Sequence, residues 1–241
     1  MEIICFGLSQ IDCYGAAFYD FLKLRKQFFV DHLAWDIAHD DEVEMDQYDN
    51  PTARYCLVIK DGQVVAGARV LPCTARWGEH SYMLRDAVAG KLRGIPADIL
   101  PLAPVSSDIW ELTRVVVSDR LRGRSERAKC LAMLLRAASR TAAEQGATHL
   151  ISLSPIALER FVRQLGFDIA RIAQGYRDAS DQRRYVCLTM PVEDQGRAPP
   201  ASYAPRKMRE PITVEVPGPA PQTAQAGQAG PRMQNGAAKA R

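Results

Sequence analysis

Seven acidic residues and no lysine or arginine lie between Asp36 and Asp49, and arginines flank them at Arg25, Arg69 and Arg114. A carboxylate can hold a cation or accept a proton, and a neighbouring guanidinium keeps it ionised and oriented. An acidic run by itself is usually a solvated loop. Here Trp35 and Tyr48 are interleaved with it, and Phe29 precedes it, so aromatic faces that favour a cation accompany the carboxylates. Polar residues recur where a core pattern would not ask for them: Glu44-Met45-Asp46-Gln47-Tyr48-Asp49, Arg69 in an apolar run, and Glu111 and Arg114 in another. A different chemistry is written in Arg120-Leu121-Arg122-Gly123-Arg124-Ser125, continued by Lys129. Exposed N–H groups at a helix start favour an anion, and glycine lets the backbone approach it.

The elements that must position these residues follow from periodicity. Residues 2–6 suit a first strand, and 14–30 carry Ala17, Phe21, Leu24 and Phe28 at helical spacing. Residues 55–60 and 63–71 are apolar runs joined by Asp61-Gly62, which predicts a hairpin. A strand is expected over 109–117, and a helix over about 126–145 with Ala128, Leu131, Leu135, Ala138 and Ala142 on one stripe. Another strand follows at 148–153. Ser154 is the expected N-cap of the next helix, with Pro155 at its first position and Gly166 at its stop. Residues 184–190 form a last strand. Antiparallel strands followed by a strand–helix–strand–helix–strand run indicate an α/β/α sandwich on a mixed, mostly antiparallel sheet.

Bulk properties bound the reading. The 241 residues are 47% apolar with a net charge of +3, which gives no general affinity for nucleic acid or membrane. Charge is patchy instead, with eight Lys or Arg and two acids between Arg114 and Arg140. The six cysteines show no C-x-x-C pair and the four histidines no ligand spacing, so no metal is assigned. The start lacks a signal-peptide pattern, and no apolar stretch approaches the roughly 20 residues needed to span a bilayer. A cytoplasmic protein is expected. Residues 191–241 hold 9 of the 15 prolines with much Ala, Gly and Gln, and are expected to be a disordered tail behind a catalytic domain of residues 1–190.

The basic loop resembles the R-x-x-G-x-[GA] loop of GNAT acyltransferases, which holds the phosphates of a pantetheine thioester, with Ser125 at the last position. A longer resemblance covers roughly residues 20–170. The order Arg-x3-Phe, Trp, Glu-x-Asp-x-x-Asp, Arg-x-Leu-Pro and Trp-Glu-x-[Ser/Thr]-Arg is similar to that of the LuxI-type acyl-homoserine-lactone synthases, which are GNAT-like in fold. The family's charged and aromatic set falls on Arg25, Phe29, Trp35, Asp46, Asp49, Arg69, Glu111 and Arg114. The departures are mild: Val70 stands within the usual Arg-Leu-Leu-Pro, and Cys73 where Thr is usual.

The resemblance implies that S-adenosylmethionine is co-substrate, with no permanently bound cofactor, and that acyl carrier protein or acyl-CoA is the acyl donor. The products implied are an N-acyl-homoserine lactone and methylthioadenosine. It makes Glu111 the general base, with Asp46, Arg69 and Arg114 beside it. Arg25, Phe29, Trp35, Asp46 and Asp49 are the expected S-adenosylmethionine site, in which Asp46 and Asp49 hold the cationic substrate. Val115, Val117 and Ser152 are the expected acyl pocket, with Ser152 near a position tied to oxygen on the third acyl carbon. Arg120, Arg122, Arg124 and Lys129 are the expected docking site for an acidic carrier or its phosphopantetheine. Two other readings stay open: a GNAT enzyme acylating another amine, and a non-catalytic sensor binding S-adenosylmethionine or a carrier protein.

Overall fold

The apolar runs of the first half form three antiparallel strands, β1 (Glu2–Gly7), β2 (Arg54–Lys60) and β3 (Gln63–Pro72), in a computed structural model that describes residues 1–192. Asp61 and Gly62 both lie at positive φ, 52° and 74°, the two-residue turn whose twist suits the flanking strands. β4 (Ile109–Val117) adds beside β3, and β5 (His149–Pro155) runs parallel to β4. β8 (Arg184–Pro191) pairs antiparallel with β5, and the short β6 (Ala170–Arg171) and β7 (Tyr176–Arg177) both pair with β8. The sheet order is β1-β2-β3-β4-β5-β8-β6, and β4 with β5 is the one parallel pair among the described residues.

Helices cover both faces, as the predicted sandwich requires. On one side, α1 (Ile11–Arg25) buries Phe18, Phe21, Leu22 and Leu24 against Phe6, Tyr55, Leu57 and Leu71. Its approach depends on Gly67 of β3, where a Cβ would lie 2.4 Å from the Phe21 ring. On the other side, α3 (Arg124–Ala143) and α4 (Ile156–Gln164) pack Leu131, Leu134, Leu135 and Val162 on Val70, Leu112, Leu150 and Leu188. A short α2 (Met83–Val88) adds a third cluster with Cys73, Tyr82, Ile151 and Cys187. Ile151 and Cys187 alternate with Leu150 and Leu188 along their strands, so this cluster lies on the α1 side.

Several boundaries differ from expectation. The first helix starts earlier, at Ile11, and is α-wound to Arg25; Lys26–His32 continue in a wider π winding, with Leu33 N–H donating to Phe28 C=O at 3.0 Å. Ser154 is not an N-cap. It stays in β5 paired with Val186, because the residue before a proline is pushed toward extended backbone, and Pro155 takes the cap position. Gly166 does end α4, at φ 88°. Pro191 belongs to β8, and Val192 N–H donates to Thr148 C=O, so the sheet runs slightly past the expected boundary. The rest of the expected tail lies outside the described residues. Among the described residues no helix is long and apolar enough to cross a membrane.

Candidate active site

Alternation along a regular strand would send Glu111 and Arg114 to opposite faces of the sheet. A bulge in β4 prevents this. Arg69 pairs with Thr113 and Gly67 with Val116, so Arg114 and Val115 together oppose Ala68. Arg114 lies at φ 53°, a conformation that costs on the order of 1–3 kcal/mol for a non-glycine residue and persists only where its surroundings impose it. The extra residue turns Arg114 onto the same side as Glu111 and Thr113, and Val115 onto the α3 side.

On that side three arginines and three carboxylates close a ring. Arg25 Nε meets Glu44 Oε2 at 2.6 Å, and Glu44 Oε1 meets Arg114 Nη2 at 3.0 Å. Arg114 Nη2 reaches Asp46 Oδ2 at 2.7 Å, and Asp46 Oδ1 meets Arg69 Nη1 at 2.5 Å. Arg69 Nη1 reaches Asp49 Oδ1 at 2.8 Å, and Arg25 Nη1 closes the circuit on that same oxygen at 2.8 Å. The formal charges cancel, so each buried ion has opposite charge on both sides, which offsets the several kcal/mol per ion that desolvation costs. Burial disfavours the charged Asp46 carboxylate, but Arg69 and Arg114 outweigh it and hold the group well below the usual carboxylate range. For Asp49 the same contest of burial against Arg69 and Arg25 also lowers the pKa.

In this geometry Arg25, Asp46 and Asp49 are engaged with one another's ring partners. All four oxygens of the two aspartates are taken: Tyr48 N–H donates to Asp46, and Tyr55 O–H and Asp46 N–H donate to Asp49. The Arg25 and Asp49 side chains are 0% exposed. Neither can touch a substrate without breaking the ring, so both shape the site from behind. Glu44, quoted in the sequence motif but given no role there, is a full member. Its signal was its place two residues before Asp46 in the Glu-x-Asp-x-x-Asp run.

Glu111 lies beside the ring with its carboxylate buried. Met83 and Leu84, the first residues of α2, donate their N–H groups to its two oxygens at 2.9 and 2.7 Å. Burial raises its pKa to about 7, and the two N–H donors and Arg69 only partly oppose that. A carboxylate poised near neutrality can take a proton from an amine and later return it. α2 is joined to the acidic loop by Tyr48 O–H donating to the buried Asp86 at 3.1 Å.

Next to Glu111 the sheet opens. β4 and β5 pair only from Ile109↔His149 to Glu111↔Ile151, although both strands continue. Past that point their facing N–H and C=O groups have no partner strand between them. Val115 and Ser152 line a narrow apolar cavity of about 40 Å³ on the α3 side, with Leu112, Leu150, Leu188 and Met190. The expected Val117 is not part of that lining: it falls beyond the bulge, at the edge of the core packed on α3. Arg120, Arg122, Arg124 and Lys129 are all exposed around the start of α3, whose N-cap is Gly123.

Phe29 and Trp35 form a stacked pair at 5.0 Å, and the Arg114 guanidinium lies 5.4 Å over the Phe29 ring. Ala34, at φ 55°, turns the chain so that Trp35 folds back on Phe29. Two residues that sequence reasoning missed complete this wall: Asp181 accepts from Trp35 Nε1–H at 3.1 Å and from Tyr185 O–H at 2.6 Å. No local signal marks them, because the contact spans 146 positions.

A mixed sheet splayed between its two parallel strands, with a buried carboxylate of near-neutral pKa at the splay, defines a GNAT-like acyltransferase. Residues 10–198 match the autoinducer synthase family model, and the chain belongs to that family. An acyl-homoserine-lactone synthase of Aliivibrio fischeri is 33% identical over 178 residues, covering 73% of this chain and 86% of the relative. The crystal structure of TofI in a ternary complex with an inhibitor and MTA superposes with a TM-score of 0.64 at 26% identity, covering 80% of this chain and 92% of that one. The crystal structure of the AHL synthase LasI gives 0.64 at 26% identity, covering 80% and 91%.

Proposed function

We propose that the protein acylates the α-amine of S-adenosylmethionine from a fatty-acyl thioester and lactonises the product to an N-acyl-homoserine lactone. The observation that carries this reading is Glu111, a carboxylate of pKa near 7 at the splay of the two parallel strands, beside an aromatic wall. Phe29 and Trp35 cover the adenosine and sulfonium, where aromatic faces favour a cation. Glu111 takes a proton from the substrate ammonium, directly or through one water. The free amine attacks the thioester carbonyl, and unpaired N–H groups of β4 past Glu111 stabilise the oxyanion. The C–S bond then breaks and the thiol leaves with a proton.

In the second step the substrate's carboxylate oxygen attacks its own γ-carbon. The carbon–sulfonium bond breaks, the lactone closes and methylthioadenosine departs. Binding of MTA by the relative TofI supports this choice of co-substrate. The closed ring fixes Arg114 and the acidic loop, so that Phe29 and the mouth of the pocket keep their places. The acyl chain lies against Val115 and Ser152. The exposed arginines and Lys129 at the start of α3 receive an acidic carrier protein and its phosphopantetheine, in the cytoplasm.

The test is to incubate the protein with S-adenosylmethionine and a panel of acyl thioesters and to identify products by mass. Lactone and methylthioadenosine in equal amounts are expected. Acyl transfer to another amine without methylthioadenosine, or binding without turnover, overturns the proposal.

A further inference from the structure

The ring leaves a question of charge and place. Asp46 and Asp49, the carboxylates expected to face a cationic substrate, are spent on arginines. Asp181 is placed differently. It lies in the turn between β7 and β8, on the far side of β5 from the acidic loop, and is half-buried. Its donors are neutral groups: the Trp35 indole N–H, the Tyr185 hydroxyl and the backbone N–H of Arg183 at 2.9 Å. Among the described residues it forms no ion pair within 4 Å, and against burial its hydrogen-bond donors, with the nearby Arg183 charge, hold its pKa below the usual carboxylate range next to the aromatic wall.

The turn that carries Asp181 is itself well fixed. Asp178 receives N–H groups from Ser180 and Asp181 at 2.7 and 3.3 Å, Asp178 N–H donates to Arg183 C=O at 2.9 Å, and Arg177 Nε donates to Gln182 C=O at 3.0 Å. Tyr185 stacks on Tyr176 at 5.8 Å and leans on Trp35 at 6.2 Å. Trp35 follows a π-wound segment and a left-handed Ala34, and its own N–H donates to Phe29 C=O at 3.0 Å, which fixes its backbone but leaves the indole N–H to be held elsewhere. The hairpin therefore supplies the hydrogen bond that orients the indole, beside its stacking on Phe29.

We propose that Asp181 is a positioning residue for S-adenosylmethionine: by holding the Trp35 indole N–H it presents the indole face that, with Phe29, receives the substrate. The proposal rests on the reading that Phe29 and Trp35 bind S-adenosylmethionine. Asp181 acts through Trp35, so its loss is felt in that substrate's binding and not in the acyl donor's.

Steady-state kinetics on the full chain test this with four variants. Asp181→Ala is expected to raise the KM for S-adenosylmethionine about tenfold, the size of one charge-assisted hydrogen bond, with kcat and the KM for acyl thioester little changed. Asp181→Asn, whose carbonyl oxygen still accepts from the indole, is expected to restore most of that loss. Trp35→Phe removes the N–H and keeps a ring, and combined with Asp181→Ala it is expected to be no worse than either change alone. Additive losses, an unchanged KM for S-adenosylmethionine in Asp181→Ala, or equal rises in both KM values overturn the proposal. Trp35→Ala separates the two readings. If it leaves the KM for S-adenosylmethionine unchanged, the assignment of Trp35 to that site fails; if it raises it while Asp181→Ala does not, only the role of Asp181 fails.

Discussion

Arg25 and Asp49 meet in a two-bond fork, Nη1 to Oδ1 at 2.8 Å and Nη2 to Oδ2 at 2.9 Å, with neither side chain exposed. Arg25 ends α1, and Asp49 ends the acidic loop, so the fork ties the helix to the segment that carries Glu44 and Asp46. The pair has opposite charge on both flanks, from Glu44 on one side and Arg69 on the other.

Breaking this fork from one side strands a buried charge. Asp49→Ala is expected to lower the unfolding free energy by about 3–5 kcal/mol, measured by urea denaturation. A loss under about 1 kcal/mol would show that the ring tolerates an open member.

Glu111→Gln keeps one acceptor for the two N–H groups at the start of α2 and sets its NH2 against the other, at an expected cost of about 1–3 kcal/mol in unfolding free energy with the fold retained. Its kcat is expected to fall by about 10²- to 10⁴-fold, the usual worth of a general base. Wild-type turnover should rise with pH through about 7, as the carboxylate loses its proton, and Glu111→Gln should lack that limb. The stability sign is opposite. Because the folded pKa is raised from 4.5 to about 7, the folded state holds this proton more tightly than the unfolded chain does. That contribution is full below 4.5 and is lost as pH climbs through 7. A flat pH–rate profile in the wild type contradicts the base assignment.

The acyl pocket predicts a change of product. Val115→Phe fills the lining beside Leu112 and Leu150, so the acyl chains accepted should shorten, read by competing thioesters of graded length in one reaction. Ser152→Ala removes a hydroxyl that shares a 3.2 Å hydrogen bond with Ser154, and should reduce any preference for an oxygenated third carbon. An unaltered product distribution in both variants removes this pocket from consideration.

Reversal of Arg120, Arg122 and Lys129 to glutamate should raise the KM for a carrier-bound acyl donor and spare one on free pantetheine. All three side chains are exposed, so folding should be unaffected. The wild-type KM for the carrier should also rise with salt, as expected of charge-steered docking.

Gly67→Ala probes how α1 reaches the sheet. With a Cβ 2.4 Å from the Phe21 ring, the helix must shift, at an expected cost of about 1–3 kcal/mol in unfolding free energy.

The layers of this protein were legible from periodicity alone. Phe21 and Leu24 at helical spacing, apolar runs around Asp61-Gly62, and the stripe of Leu131, Leu135 and Ala138 each report a local preference that burial then reinforces. Residue types also marked the site, since Arg25, Asp46, Asp49, Arg69, Glu111 and Arg114 stand where a core would not place charge. α2 was invisible, because six residues are too few to show a helical period. How the charges are used was decided only in three dimensions. One extra residue in β4 moves Arg114 to the face of Glu111, a register effect that alternation cannot foretell. That move closes the ring, in which Asp46 and Asp49 are partners of the arginines. The Trp35–Asp181 contact likewise depends on strand order, which brings together residues 146 positions apart that have no local sequence relationship.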